Sequence, residues 1–211
     1  SHFRLSEKNK KSVFSVPTGN FGDIYAGYIA YKMGLPIAKL IIATNENDLL
    51  HKFLRNGIYK PSKVKFSISP SMDIQVASNF ERLIASYYKN NSKKISALMD
   101  ELSRNGSYKI DKSILRRIKN IFYSKSVNIK DTKKIIKSVY NNNHKILDPH
   151  SAVGLKALED YGIDSDSLLR EYGPDQLVPQ IIHIDENANP EDPVPTPKDP
   201  EPYVREKQEK R

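Results

Sequence analysis

The sequence contains no cysteine. Disulfide bonds and metal sites built from thiolates are therefore excluded. The sequence also has no apolar run long enough to span a bilayer, and its N-terminus resembles neither a signal peptide nor a transit peptide. We therefore expect a soluble, cytoplasmic protein with no membrane contact. Since the chain does not begin with Met and a strand follows almost at once, we also expect it to be a piece of a longer protein.

Charge is distributed unevenly along the chain. The formal net charge is +9, but residues 1–158 are basic whereas residues 159–211 are acidic. Such a split is known from nucleic-acid-binding proteins with acidic tails. Here the lysines are spread over many segments and are neither interleaved with aromatic residues nor clustered with arginines, as groove binding requires. We therefore favour solvated basic faces and expect no nucleic-acid partner.

The most informative stretch covers residues 12–28. Its first residues, 13–16, are β-formers and predict a short buried strand, which Pro17 ends because proline has no N–H. Gly19 and Gly22 then permit a tight turn, and apolar residues follow at helical spacing. The loop thus leads into a helix N-terminus, which favours a bound phosphate. A purely structural strand–turn–helix corner needs the same glycines, so this stretch alone leaves both interpretations open.

Alternating strand and helix patterns follow this loop. A second buried strand is predicted over 39–43, and the next helix is expected to be capped by Thr44 or Asn45 with Glu46 and Asp48 in its first turn. This βαβ order predicts a parallel sheet covered by helices, with a ligand at the carboxyl ends of the strands. Apolar periodicity further predicts short strands over 64–68 and 145–147, and helices from Met72, over 93–104, 111–123 and 130–141, and from 148 onward.

The character of the chain changes near residue 160. Most of its 13 prolines lie beyond residue 170, and the acidic, proline-rich stretch 190–202 cannot build a helix or a sheet. We therefore predict a folded domain over 1–160 and a mostly disordered, proline-rich acidic tail over 161–211. Leu177-Val178 and Ile181-Ile182 are apolar enough to dock on the domain as a short segment.

No spacing pattern by itself defines a catalytic site. The histidines show no metal-ligand spacing, and neither a nucleophile elbow nor a P-loop lysine is present. We therefore assign no metal site. His150 lies next to Asp148 and could form an acid–base pair, although a structural turn is the favoured interpretation. Asp73 and Glu81 fall on one predicted helix and are interpreted as solvent-facing or capping charges.

Four blocks of sequence, covering roughly residues 12–157, are informative when they are taken together. They are Val16-Pro17-Thr18-Gly19-Asn20-Phe21-Gly22-Asp23 with Ala26-Gly27-Tyr28; Lys32-Met33-Gly34-Leu35-Pro36-Ile37 with Ala43-Thr44-Asn45-Glu46-Asn47-Asp48; Ser69-Pro70-Ser71-Met72-Asp73-Ile74-Gln75-Val76 with Ser78-Asn79-Phe80-Glu81-Arg82-Leu83; and Asp148-Pro149-His150-Ser151-Ala152-Val153-Gly154. In this order the blocks resemble the threonine synthase family, whose members are pyridoxal-phosphate (PLP) enzymes of the tryptophan synthase β-like fold. The resemblance implies an α/β protein, here a partial doubly wound sheet with a helical insert.

The resemblance also implies a reaction, in which O-phospho-L-homoserine and water give L-threonine and phosphate with PLP as the electron sink. It implies that the glycine loop holds the PLP phosphate through backbone N–H groups and that Asp23 belongs to the same site, where it caps the helix or fixes the loop. Ser151 stands where the family usually has Thr, and its hydroxyl would meet the pyridine nitrogen of PLP. The implied cofactor site therefore consists of Gly19, Asn20, Phe21, Gly22, Asp23 and Ser151.

The sequence departs from the family in two places. The family forms its Schiff base through a lysine in a block resembling His-Gly-Pro-Thr-x-x-Phe-Lys-Asp, and no lysine here has that context. Beyond Gly154 the acidic tail replaces a further family segment. We therefore expect a C-terminal portion of a threonine synthase that contains no catalytic residue and is inactive alone. The alternatives are one half of a split enzyme, completed by a separate N-terminal polypeptide carrying the lysine, and a degenerate remnant that acts as a binding protein.

Overall fold

A computed structural model describes residues 11–163 and the backbone of residues 181–184. The strands are β1 (Lys11–Pro17), β2 (Ile37–Thr44), β3 (Ile58–Tyr59), β4 (Tyr108–Lys109), β5 (Phe122–Ser126) and β6 (Ile181–Ile184). The helices are α1 (Gly22–Lys32), α2 (Leu49–Asn56), α3 (Phe80–Tyr87), α4 (Ser92–Asn105), α5 (Lys112–Ile121), α6 (Ile129–Asn143) and α7 (Pro149–Asp160), and a 3₁₀ turn covers Pro70–Met72.

The main sheet has the strand order β5-β2-β1-β6. β2 lies parallel to both β1 and β5, as the βαβ pattern predicted. β6 adds antiparallel to β1, from Lys11 opposite Ile184 to Phe14 opposite Ile181. The apolar residues at 181–182 therefore do dock on the domain, and they cover the edge of β1. The rest of the predicted tail lies outside the described residues.

Helices cover both faces of the sheet, so the fold is the doubly wound α/β arrangement that was predicted. Alternate residues of β2 face opposite sides, as in any strand. Leu40 and Ile42 belong to a buried cluster with α1 to α5, whereas Ile41 and Ala43 belong to a second cluster with α6 and α7. A small antiparallel pair, β3 and β4, lies against the first cluster, in which Tyr59 and Tyr108 stack with ring centroids 5.0 Å apart.

Two strand predictions and one helix prediction need correction. Residues 64–68 and 145–147 form no strand, because no second strand lies beside them within the described residues. In the second segment Leu147 is buried but Ile146 is 84% exposed, so the residues form a connection into α7 rather than part of the sheet. Conversely, the helix predicted over 111–123 ends at Ile121, and β5 begins there because Phe122 pairs with Leu40 of β2.

Two helix starts also differ from the prediction. α2 begins at Leu49, and its N-cap residue Asp48 makes no side-chain cap bond. Glu46 and Asp48 therefore precede the helix, and the predicted capping by Thr44 or Asn45 is wrong. The helix expected from Met72 begins only at Phe80, since intervening backbone groups bond elsewhere; for example, the N–H of Ala77 donates to the Tyr59 hydroxyl at 3.0 Å. Among the described helices, none has the length and apolar character needed to cross a bilayer.

Candidate functional site

The glycine loop leaves β1 at the carboxyl end of the sheet, where βα loops of such folds bind ligands. Its first residue, Thr18, is fixed on both sides. The Thr18 N–H donates to the carbonyl of Ala43 at the end of β2 (2.7 Å), and its hydroxyl donates to the carbonyl of Val16 (2.6 Å). The loop therefore starts from a rigid position between two parallel strands.

Backbone N–H groups of the loop are free to bind an anion. The N–H of Gly22 is taken, because it donates to the side-chain oxygen of Asn20 at 2.9 Å. It is therefore not available to a phosphate, in contrast to the arrangement that the resemblance implied. The other N–H groups of the loop and of the first turn of α1 have no acceptor among the described residues; they belong to Gly19, Asn20, Phe21, Asp23 and Ile24.

Two neighbours hold the loop in place. A Cβ atom on Gly19 would lie 2.8 Å from the carbonyl oxygen of Ser71 and 3.0 Å from Cδ1 of Ile74, so only glycine fits there. On the other side, Asn79 donates to the Asn20 carbonyl through its backbone N–H (3.1 Å) and its side-chain amide (3.3 Å). Asn79 is a positioning residue that the sequence interpretation did not single out, although it lies in one of the four blocks.

Phe21 is the anchor of the loop. Its ring is 1% exposed and packs edge-on against Phe80, with centroids 5.0 Å apart, and against Phe122 at 5.9 Å. Its backbone has φ 69° and ψ 9°, which is the left-handed region that non-glycine residues rarely occupy. The buried ring thus holds an unfavourable backbone conformation that turns the chain into α1. Of this predicted site residue, only the backbone remains available to a ligand.

Asp23 lies in the first turn of α1 and is exposed. It lines the same shallow recess as the loop residues. The expected capping role is wrong, because the N-cap residue is Phe21 and the N–H of Gly22, the first residue of α1, donates to Asn20 rather than to Asp23. A carboxylate at this position interacts favourably with the positive end of the helix dipole, but it also repels a bound phosphate.

Ser151 is buried in the first turn of α7, and its hydroxyl donates to the carboxylate of Asp148. Asp148 is the N-cap residue of α7 and also accepts from the backbone N–H groups of His150 (2.9 Å) and Ser151 (3.2 Å). Burial acts to raise the pKa of Asp148, but the hydrogen bonds from Ser151 and His150 outweigh it and hold that pKa below its ordinary value. With its proton committed to Asp148, the Ser151 hydroxyl can offer a lone pair to a ligand.

This cap has a measurable effect on stability. We expect Asp148→Ala to lower the free energy of unfolding by about 1–2 kcal/mol at neutral pH, because α7 loses its N-cap. A carboxyl with a depressed pKa stabilises the folded state when ionised. The difference in the free energy of unfolding between wild type and Asp148→Asn should therefore be largest above the ordinary Asp pKa and should shrink as the pH falls below it. Urea unfolding at several pH values measures this, and a difference that grows towards acid would contradict the assignment.

His150 completes the start of α7. Its Nδ1 atom lies 3.2 Å from Asp148, which is the pairing that the sequence suggested, while its Nε2 atom is buried without a partner among the described residues. The contact fits the structural role at the start of α7 that was favoured, and the alternative acid–base role is untested. Within the described ranges, no group of three His, Cys, Asp or Glu side chains could hold a metal ion.

Asp73 forms the centre of a polar network that the sequence interpretation missed. Its Oδ1 atom accepts from the side-chain amides of Asn45 (2.7 Å) and Asn47 (3.0 Å), and its two oxygens accept from the hydroxyl (2.7 Å) and the N–H (2.8 Å) of Ser67. Asn45 and Asn47 are buried, at 3% and 4% exposure. The network therefore joins the loop after β2 to residues 67–73. Asp73 is neither the solvent-facing charge nor the helix-capping charge that was expected.

The same network supports the glycine loop. Residues 71–74 form the wall against which Gly19 packs, and Asp73 fixes that segment from behind. Met72 in turn belongs to the same buried cluster as Ala152 and Val153 of α7. One rigid segment thus contacts the glycine loop and shares its core with the helix that carries Ser151. The cofactor contacts that were predicted for the glycine loop and for Ser151 remain predictions.

A parallel sheet with helices on both faces and a glycine loop at a strand end defines an α/β protein with a candidate anion-binding loop. No family model matches the sequence. The chain is 48% identical over 165 residues to threonine synthase from Saccharomyces cerevisiae and 42% identical over 154 residues to that from Pseudomonas aeruginosa. These alignments cover 72% and 73% of this chain but only 32% and 33% of the two relatives.

Solved structures agree with these relatives. The structure described as PLP-bound threonine synthase from Brucella melitensis superimposes with a TM-score of 0.72 at 40% identity, covering 77% of this chain and 34% of that one. The yeast threonine synthase structure gives a TM-score of 0.69 at 43% identity. The chain is therefore a homologue of threonine synthases and shares their α/β fold. It spans about a third of their length.

Proposed function

We propose that this chain supplies the cofactor-phosphate site of a threonine synthase, the enzyme that converts O-phospho-L-homoserine and water into L-threonine and phosphate. The proposal depends mainly on the glycine loop. This loop follows a parallel strand, its backbone N–H groups have no acceptor among the described residues, and the chain is a homologue of these enzymes. A helix N-terminus preceded by such a loop is a general phosphate site. The backbone N–H groups and the positive end of the helix dipole attract the phosphate, so no lysine of the loop is required for binding.

The residues present fit the phosphate of PLP. Gly19, Asn20 and Phe21 would donate their N–H groups to it, and Ser151 would face the pyridine nitrogen. When bound, PLP would draw electrons from the substrate carbons, while the protein supplies orientation. Because no lysine of residues 1–211 has the family's context, we propose that these residues are inactive alone. They would work in the cytoplasm with a partner segment that carries the lysine, located either N-terminal to them in the same protein or on a separate polypeptide.

Pyridoxine 5′-phosphate provides a clean test of the phosphate site, because it lacks the aldehyde that would react with surface lysines. We expect the chain to bind this compound more tightly than pyridoxine, which has no phosphate. Gly19→Ala should weaken binding about tenfold, since the new Cβ pushes the loop away from Ser71 and displaces its N–H groups. Calorimetric titration measures both affinities.

Gly106→Ala is the matched control, because Gly106 has φ +68° with open space around it and lies at the end of α4. It should strain the backbone without changing the affinity for pyridoxine 5′-phosphate. Equal affinity for pyridoxine and its phosphate would refute the proposed phosphate site. Turnover of O-phospho-L-homoserine by the chain alone, with one lysine trapped by borohydride after addition of PLP, would instead refute the requirement for a partner.

A further inference from the structure

Residues 61–67 have the sequence of a β-strand but no strand beside them. Val64 and Phe66 alternate with polar residues, which is the pattern of a half-buried strand. Nevertheless, no backbone ladder includes this segment in the described part of the chain. In a half-buried strand the apolar side chains face the core. Here the side chains of Val64 and Phe66 are instead 45% and 93% exposed.

One edge of the segment is already fixed by side chains. The N–H of Lys65 donates to Oδ1 of Asn47 (2.9 Å), its carbonyl accepts from Nδ2 of Asn47 (2.8 Å), and the N–H of Ser67 donates to Asp73 (2.8 Å). These N–H groups are two residues apart and point to the same side, as in a strand. The buried amide of Asn47 thus imitates a neighbouring strand and holds the backbone extended.

The other edge is open. The N–H and C=O groups of Val64 and Phe66 have no partner among the described residues. A third exposed apolar residue, Val76, follows Gln75, whose side chain accepts from the N–H of Ser62. An extended backbone with free N–H and C=O groups, flanked by exposed apolar side chains, is the arrangement that binds an added β-strand.

We infer that an extended segment of the polypeptide supplying the missing two thirds of the enzyme adds as a β-strand along Val64 and Phe66. This inference rests on the proposed function for the identity of the partner, since the relatives are about three times as long as the part that this chain matches. Residues 60–68 contain three lysines and no carboxylate, so the added strand should alternate apolar and acidic residues. The chain's own stretch 190–202 is unsuited, because its prolines cannot donate to a ladder.

The experiment uses the full 211-residue chain co-expressed with yeast threonine synthase from which the matching 165 residues have been removed. In the purified complex, hydrogen exchange of the Val64 and Phe66 amides should slow at least about tenfold relative to the free chain. Phe66→Asp should weaken the complex about tenfold, because it places an unpaired charge in the covered face. Ile146→Asp is the matched control, since Ile146 is 84% exposed and distant in sequence, and it should leave the affinity unchanged.

Several results would overturn the inference. They are the absence of a complex, a complex in which the Val64 and Phe66 amides exchange as in the free chain, and equal weakening by Phe66→Asp and Ile146→Asp. The chain alone could also form dimers that the Phe66→Asp substitution dissociates. This result would assign the strand edge to a second copy of the chain and would equally refute the inference. Binding of pyridoxine 5′-phosphate to the free chain is measured separately on the same variants. A failure of the phosphate site is therefore distinguishable from a failure of the strand edge.

Discussion

Phe21→Ala should lower the free energy of unfolding by about 3–5 kcal/mol, the range typical for removal of a buried aromatic ring. The ring is 1% exposed and lies between Phe80 and Phe122, so its loss leaves a cavity between α1, α3 and β5. Alanine would also keep the cost of the left-handed backbone without the packing that offsets it. Since domains are stable by only about 5–15 kcal/mol, the variant should be close to unfolding at room temperature. Urea denaturation followed by circular dichroism measures the change.

Two further variants separate packing from backbone strain. Phe66→Ala removes a ring that is 93% exposed, so it should change stability by no more than about 0.5 kcal/mol. Phe21→Gly leaves the same cavity but relieves the backbone at φ 69°, and it should therefore be less destabilising than Phe21→Ala. If Phe21→Ala and Phe66→Ala had equal effects, the anchoring role of the ring would be wrong.

Much of the loop was predictable because its physical requirements are local. A proline ends a strand, and a glycine is needed where the chain turns tightly; both effects depend on the residue itself. The close contact that excludes a Cβ at Gly19 comes from Ser71, more than fifty residues later in the sequence. A glycine could nevertheless be expected to be required here without identifying that neighbour. The parallel pairing of β1 and β2 followed in the same way from the order of strand and helix.

What could not be predicted depends on partners distant in the sequence. Asp73 and Glu81 have the same chemistry and were given the same interpretation, yet only Asp73 meets amides from the loop after β2. The alternation over 64–68 indicated a strand, but strand formation requires a neighbour, and here side chains of Asn47 and Asp73 take that place. β5 was missed because Phe122 continues the helical apolar pattern of α5, and only its pairing with β2 makes it extended.

The polar network and the glycine loop form one mechanical unit. Asp73 connects the segment after β2 with residues 67–73, and residues 71–74 provide the wall for Gly19. The carboxylate therefore acts on the proposed phosphate site without touching it. It also holds the inner edge of residues 61–67 through Ser67. A single side chain thus supports both the proposed ligand loop and the proposed partner edge.

Asp73→Ala should accordingly lower the free energy of unfolding by about 2–4 kcal/mol, because it removes an acceptor from the amides of Asn45 and Asn47 and from the hydroxyl and backbone N–H of Ser67. Asp73→Asn keeps one acceptor oxygen, but it turns an amide NH₂ group towards one of the donors that Asp73 binds. The loss of stability should therefore lie between that of wild type and that of Asp73→Ala. Glu81→Ala, on the exposed face of α3, is the control and should change stability by no more than about 0.5 kcal/mol.

Stability alone does not show that Asp73 supports the loop, so the same variants need a second measurement. Under conditions where Asp73→Ala is fully folded, the backbone amides of Lys65 and Ser67 should exchange faster, because their segment has lost its inner support. The affinity for pyridoxine 5′-phosphate should also fall, since the wall behind Gly19 becomes mobile. A destabilised variant with unchanged affinity would show that the network stabilises the fold independently of the loop, and the two would then be separate features of this sheet edge.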